Sequence, residues 1–180
     1  EKLIVEDASY EFDVGKLRKK LLLMKIEERI TDPQAALNLS EEAFKLFFIE
    51  RNKVDFFPSV LDELEKLSQK YVLGCLTNGN ANIKMIGIEE FFKFNISSKD
   101  VKANKPSENH FHEAQKLLDV NRNEILHIGD HPVNDMQGAI DYGFKALWFN
   151  PNKEVWSLEG LEKPPEFFSW NGITEKIDCL

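Results

Sequence analysis

Four side chains in this 180-residue sequence have types and settings that could do chemistry together: Thr77, Lys105, Asp130 and Asp135. Thr77 closes the apolar run YVLGCLT (71–77) and is followed by Asn78-Gly79. A hydroxyl and the N–H groups of a turn are therefore offered at one place, and such donors suit an anionic oxygen. Lys105, ahead of Pro106, is a point charge on a flexible stem, well matched to phosphate. In HIGDHPVND (127–135), Asp130 follows a glycine and Asp135 closes the stretch. Two carboxylates near one point repel unless something neutralises them. A hard divalent cation does so, and Mg2+ takes one or two carboxylates together with phosphate oxygens and water. The set describes a site for a phosphate ester and a magnesium ion. Each member also has a plainer reading: a turn threonine, a surface lysine, and an acid facing the dipole of a helix start. His127 and His131 read as bystanders, one in a strand and one in a loop.

The elements that must position these residues follow from periodicity. Residues 11–53 read as helical throughout. Val14, Leu17, Leu21 and Met24 fall at helical spacing, Ser40-Glu41-Glu42 marks a helix start, and Phe44, Phe47 and Phe48 form an apolar face. The texture changes at DFFPSV. Pro58 fits the first turn of a helix whose face is Val60, Leu64 and Leu67. Strand patterns at 71–77, 92–98, 124–129 and 145–150 then alternate with helical ones. The first of these helices spans 107–118 with Phe111, Ala114, Leu117 and Leu118 inward; the second runs through Met136, Ala139 and Ile140 and ends near Gly143. The tail, 151–180, holds one short strand or helix. Such alternation predicts an α/β fold with a Rossmann-like parallel sheet and right-handed crossovers. Ligands bind such sheets beyond the carboxyl ends of the strands. Thr77, Asp130 and the loop of Lys105 all fall there.

Bulk properties narrow the function classes. A net charge of −8 without a Lys/Arg-rich stretch argues against nucleic acid as a partner. No apolar stretch approaches the ~20 residues of a membrane span, and no signal peptide is visible. Two cysteines, Cys75 and Cys179, make no disulfide framework, so a reduced, cytoplasmic setting is expected. The chain opens Glu1-Lys2-Leu3 without a Met, which reads as a truncated chain or the remainder of a longer one. An open sheet edge would favour a homodimer.

Three stretches in order, FFPSVLDELEKLSQKYVLGCLTNGNA, KANKPSENHFHEAQKLL and EILHIGDHPVNDMQGAIDYG, resemble three motifs of the haloacid dehalogenase superfamily: a strand ending in Ser/Thr, a Lys near a Pro, and Gly-Asp with a further acid before a helix. The resemblance covers residues 54–150. It implies a hydrolase with an α-helical cap, here residues 1–56, on a Rossmann-like core, residues 57–180. The wording of TNGNA and GDHPVND is similar to bacterial phosphatases of flavin mononucleotide and related nucleotide-like monophosphates. The resemblance implies magnesium-dependent hydrolysis of a small phosphorylated metabolite through an aspartyl-phosphate. In it, Thr77 and the Asn78 N–H bind the phosphoryl group, and Lys105 stabilises charge on phosphate and nucleophile. Asp130 ligates Mg2+, while Asp135 ligates it directly, through water, or holds the neighbouring loop.

The superfamily's nucleophile, the first Asp of a D-x-D at the end of a strand lying before the cap, has no counterpart. KLIVEDAS (2–9) offers Asp7 but with Ser9 two positions on, and YEFDVGK offers Asp13 with Gly15. The central strand, between those ending at Thr77 and Asp130, is therefore expected to be missing, leaving a gap lined by unpaired N–H and C=O groups. It would be filled by an upstream segment, by residues 2–6 as a substitute strand, or by pairing of the flanking strands with each other or with another molecule. The chain as given is expected to be inactive as a phosphatase. The alternative is a non-catalytic remnant of the fold acting as a binding domain. A receiver-like signalling module fits less well, because its acids come early in the chain, and dehalogenation of 2-haloacids would not need the paired acids.

Overall fold

The structure is a computed structural model and describes residues 2–180. Helix α1 (Lys2–Glu6) leads through a 3-10 turn at Ala8–Glu11 into an antiparallel helical pair, α2 (Val14–Glu27) and α3 (Pro33–Arg51). Asp13 caps α2 through the Lys16 amide, and Asp32 caps α3 through the Gln34 amide with Pro33 in the first turn. The predicted helix start at Ser40 is thus corrected. Ser40 lies inside α3, its hydroxyl donating to Leu37 O at 2.8 Å, and with fully buried Ala36 it gives α2 a close approach. The stripe through Leu21 and Met24 is corrected as well. Both are exposed, and Leu22, Leu23 and Ile26 are half-buried in their place. Phe44 and Phe48 stack at 6.0 Å, while Arg18 covers the Phe47 ring at 4.3 Å and Lys19 the Phe44 ring at 4.8 Å. These phenylalanines pack within the helical pair.

Helix α4 (Val60–Lys70) buries Leu64 and Leu67 as expected and leads to β1 (Gly74–Thr77). Helix α5 (Ile83–Ile86), strand β2 (Phe94–Ser97) and helix α6 (Ser98–Val101) follow. Then come α7 (Asn109–Leu118), β3 (Leu126–Gly129), a π-helical turn (Pro132–Gln137), α8 (Gly138–Tyr142) and β4 (Lys145–Phe149). The tail contributes both β5 (Glu166–Phe167) and α9 (Ile173–Ile177). Every strand pairing among the described residues is parallel, as the alternation predicts. Strand β4 alternates cleanly: Ala146 and Trp148 join Phe111, Met136 and Tyr142 on one side, and Leu147 and Phe149 join Leu67, Phe167 and Ile173 on the other. A parallel strand buried on both faces needs this two-sided apolar cover. Leu117, expected inward on α7, is 49% exposed, since the buried stripe runs through His110, Phe111 and Ala114.

The sheet is divided. Strand β1 pairs with β2, and β3 with β4 and β5, but no ladder joins β1 to β3. Between them lies a cavity of about 1000 Å³, walled by Leu73, Gly74, Cys75 and Leu76 on one side and Leu126, His127, Ile128 and Gly129 on the other. The expected gap is therefore real: residues 2–6 are helical and do not fill it, and the flanking strands do not pair with each other, which leaves an upstream segment or another molecule. Phe56 and Phe57 line this slot, with Phe57 edge-on to Phe149 at 5.1 Å, apart from Phe44, Phe47 and Phe48 of the helical pair.

The tail is tied to α4 by a buried carboxylate. Glu63 accepts from the Thr174 amide at 3.0 Å and hydroxyl at 2.6 Å, and pairs with Lys66 at 2.7 Å. Burial alone would raise its pKa; the bonds from Lys66, Thr174 and Gly172 outweigh this and hold the carboxyl at about 2. The folded value lies below the unfolded one. The contribution of Glu63 is thus full above the ordinary carboxylate range and is lost as pH falls toward about 2. Replacing Glu63 by Ala is expected to lower the unfolding free energy by about 2–3 kcal/mol at neutral pH, because buried Thr174 donors lose their acceptor. In urea titrations the gap between Glu63→Ala and the parent chain should narrow as the pH is lowered; a gap independent of pH would contradict this account.

Candidate active site

The residues singled out by type meet at the carboxyl ends of β1 and β3. Thr77 ends β1, and its Oγ1 accepts the Gly79 amide at 3.0 Å, closing a tight turn. The Asn78 side chain does not project into solvent. Its Oδ1 accepts the Lys105 amide at 2.7 Å and its Nδ2 donates to Lys105 O at 2.9 Å. This two-point clasp fixes the loop of Lys105 against the end of β1. Ser98 Oγ reinforces it, donating to Asn78 Oδ1 at 3.3 Å.

Lys105 is 8% exposed. Its Nζ donates to Leu76 O at 2.9 Å and to Asp135 Oδ1 at 2.6 Å, so one bond reaches β1 and the other the chain that follows β3. Asp135, 6% exposed, uses both oxygens. Oδ1 takes Lys105 and His127 Nε2, the latter at 3.2 Å, and Oδ2 accepts the His131 amide at 3.0 Å. Burial by itself would raise the Asp135 pKa, but the bonds from His127 and the Lys105 ammonium hold the carboxyl well below the usual carboxylate range. Burial lowers the His127 pKa, and the neutral ring would meet Asp135 Oδ1 with its proton on Nε2. Gly129 makes this possible: a Cβ there would fall 2.4–2.6 Å from Asp135 side-chain atoms. The glycine of the Gly-Asp pair leaves room for the second acid.

Asp130 is different. It is exposed and lines the slot, its side chain makes no hydrogen bond or ion pair among the described residues, and its carbonyl is held by Trp148 Nε1 at 2.9 Å. The two acids therefore divide their work. Asp130 presents a free carboxylate, and Asp135 braces Lys105, His127 and the 131 loop. Among the described residues no group of three or more His, Cys, Asp or Glu is arranged to hold a metal. The donor set fits Mg2+ at one corner, through Asp130, with the remaining ligands left to phosphate, water and whatever occupies the slot.

Sequence reasoning missed four participants. His127 was passed over as a bystander but carries Asp135. His131 caps the π-helical turn, its Nδ1 accepting from the Val133 and Asn134 amides. His110, fully buried on α7, approaches Thr77 O at 3.3 Å. Arg51, at the end of α3, donates to Asn80 Oδ1 in the same loop as Thr77. An inward histidine within NHFHEAQK was the one available signal; nothing around Arg51 marked it. Asp7 and Asp13 cap a 3-10 turn and α2 instead of ending a strand, so neither stands as a nucleophile.

With this geometry in hand, the relatives can be compared. A family model described as haloacid dehalogenase-like hydrolase matches residues 11–149. The chain is 34% identical over 101 residues to 5-amino-6-(5-phospho-D-ribitylamino)uracil phosphatase YigB of Escherichia coli (strain K12), covering 56% of this chain and 42% of that one. It is 32% identical over 130 residues to (S)-2-haloacid dehalogenase 2 of Pseudomonas sp. (strain CBS-3), covering 69% and 55%. The chain thus spans about half the length of these curated relatives. The crystal structure of 2-haloacid dehalogenase from Pseudomonas syringae pv. Tomato DC3000 superposes with a TM-score of 0.92 at 32% identity, covering 99% of this chain and 77% of that one.

The division of labour between the acids sets a stability test. Asp135→Asn strips the buried Lys105 of its counter-charge and should cost about 3–5 kcal/mol. Asp130→Asn removes an exposed carboxylate without partners and should stay within about 0.5 kcal/mol. Guanidinium melts of the two variants measure both; equal losses would refute the assignment.

Proposed function

We propose, from the premise that this chain belongs to the haloacid dehalogenase-like hydrolase family, that it carries the phosphate-handling part of a magnesium-dependent phosphate monoester hydrolase. The substrate is a small phosphorylated metabolite of the flavin mononucleotide or nucleotide-like kind. The observation that carries this reading is the convergence of Thr77, the clasped Lys105 loop and a free Asp130 on one sheet edge. The likeness to YigB, a phosphatase of a ribityl phosphate, supports the substrate class.

In this reading Thr77 and the amides of the turn after it bind the phosphoryl oxygens. Lys105, fixed by Asn78 and Asp135, keeps positive charge at the end of β1. Asp130 would hold Mg2+, which supplies charge neutralisation to the phosphate when bound. Asp135 acts one step back, by positioning Lys105 and the 131 loop. A carboxylate nucleophile would enter on a strand filling the slot between β1 and β3, where its backbone would satisfy both open edges. The 180 residues contain no D-x-D, so this chain by itself does not complete the site.

Dehalogenation of a 2-haloacid is the second reading, supported by the likeness to the Pseudomonas syringae enzyme. The free Asp130 beside the slot favours phosphate, because a halide leaving group has no use for a metal carboxylate.

Pure 180-residue protein should show no magnesium-dependent hydrolysis of p-nitrophenyl phosphate or flavin mononucleotide. A version with a D-x-D-bearing strand fused ahead of residue 2 should release phosphate from flavin mononucleotide, and Thr77→Ala or Lys105→Ala should lower that rate by about a hundredfold. Turnover by the unextended chain, abolished by Asp130→Ala, would sink the incomplete-site reading. Chloride release from 2-chloropropionate without phosphate release would move the assignment to the dehalogenase.

A further inference from the structure

Two polar side chains meet at the seam between the helical pair and the sheet, one at the end of α3 and one on the loop after β1, and each has donors left over. Arg51, half-buried in the last turn of α3, donates through Nη1 to Asn80 Oδ1. No carboxylate among the described residues lies within ion-pairing distance of its guanidinium. Asn80 Nδ2 is fully buried with no hydrogen-bond partner. A half-buried unpaired guanidinium and a buried amide without an acceptor both cost stability until something accepts from them. Asn80 Nδ2 faces the start of α2, 3.5 Å from where a Gly15 Cβ would stand, so at the loop the acceptor is lacking for Arg51; in a chain of net charge −8 an uncompensated cation is conspicuous.

The loop supplies the place. The point where a Cβ of Gly79 would stand is 3.4 Å from Thr77 Oγ1, 3.9 Å from the Ala81 amide nitrogen and 4.0 Å from Arg51 Nη2. Three potential donors from three positions therefore gather on the face of the loop that residue 79, having no side chain, leaves uncovered. Lys105 has two of its three donors committed, to Asp135 and Leu76, which leaves one for the site. The end of α3 is fixed there by its next residue, since Asn52 Oδ1 accepts the Asn82 amide at 2.7 Å while Asn52 Nδ2 holds Phe48 O at 2.7 Å. Arg51 is thus delivered to the loop by a helix end anchored at both sides.

We infer that Arg51 is a substrate-binding residue, and that with Thr77 and the Gly79–Ala81 turn it forms an anion cradle for the phosphate of the monoester. This rests on the phosphatase reading and extends it: the helical pair adds a second cation to the charge of Lys105. A guanidinium suits the task, because its fork can serve Asn80 with one nitrogen and a phosphate oxygen with another.

Isothermal titration of the 180-residue chain with inorganic phosphate, in the presence of magnesium, tests the cradle. Arg51→Gln should weaken binding about tenfold or more, the loss of a charge-assisted hydrogen bond, with Arg51→Lys in between. Gly79→Ala should weaken it comparably by setting a methyl among Thr77 Oγ1, the Ala81 amide and Arg51 Nη2; its backbone is outside the left-handed region, so the methyl adds no backbone strain. Thermal melts monitor folding of each variant, and Lys93→Gln, on the surface between α5 and β2, should bind as the parent does. If the parent binds phosphate and both Arg51→Gln and Gly79→Ala bind within twofold of it, the inference fails while the phosphatase reading stands. If the parent binds no phosphate at millimolar concentration, both fail.

Discussion

The structure depends on one buried charge pair. Lys105 and Asp135 meet at 2.6 Å between two half-sheets that share no ladder. Lys105 reaches back to Leu76 in β1, and Asp135 reaches His127 in β3. The chain of bonds Leu76–Lys105–Asp135–His127 is a polar rung laid across the gap where peptide groups would otherwise bond. Burying two ions is unfavourable unless geometry and further hydrogen bonds compensate. Here every Asp135 oxygen is satisfied, Gly129 opens the space it needs, and the Asn78 clasp removes freedom from the lysine's loop. The same rung aligns the ends of the two half-sheets, so the integrity of the sheet and the shape of the site are one problem.

Much of this was legible in the sequence, for identifiable reasons. Parallel alternation was readable because β4 and its helices keep strict periods, with KALWF alternating between two apolar layers. The three motif stretches lie where chain direction changes, and turn chemistry at Asn78-Gly79 and Gly143 marks those places. The gap itself was foreseen from the lack of a D-x-D before the cap. Less legible were features that depend on the third dimension. The start of α3 was misplaced because Ser40-Glu41 imitates a cap, whereas Asp32-Pro33 carries the real one. Leu21, Met24 and Leu117 were turned outward by packing that periodicity alone does not fix. His127 looked inert because its partner lies eight residues on and across a turn, and Arg51 carries no local signature since its importance comes from the loop it meets.

The two acids of HIGDHPVND illustrate how a motif's letters can conceal different work. Spacing alone made them a pair. Burial separates them: one is saturated with donors inside the protein, and the other faces the slot unsatisfied. The glycine before Asp130, read as the last residue of a strand, also serves as clearance for Asp135. Even the tryptophan of β4 belongs to this arrangement, holding the Asp130 backbone through its indole nitrogen.

The divided sheet also sets the pace of local motion. A two-stranded parallel pair is marginal alone, and β1–β2 has only four residues per strand, two unpaired outer edges and half-buried faces. The β3–β4–β5 side carries the larger aromatic core. Opening free energies within one molecule follow such differences in buried contact. The strand that ends at Thr77 therefore belongs to the softer of two cooperative units. Its slot-facing amides, bonded to no neighbouring strand, would trade hydrogen for deuterium well before those of Leu147 and Trp148, and filling the slot would bring the two units into a single exchange regime.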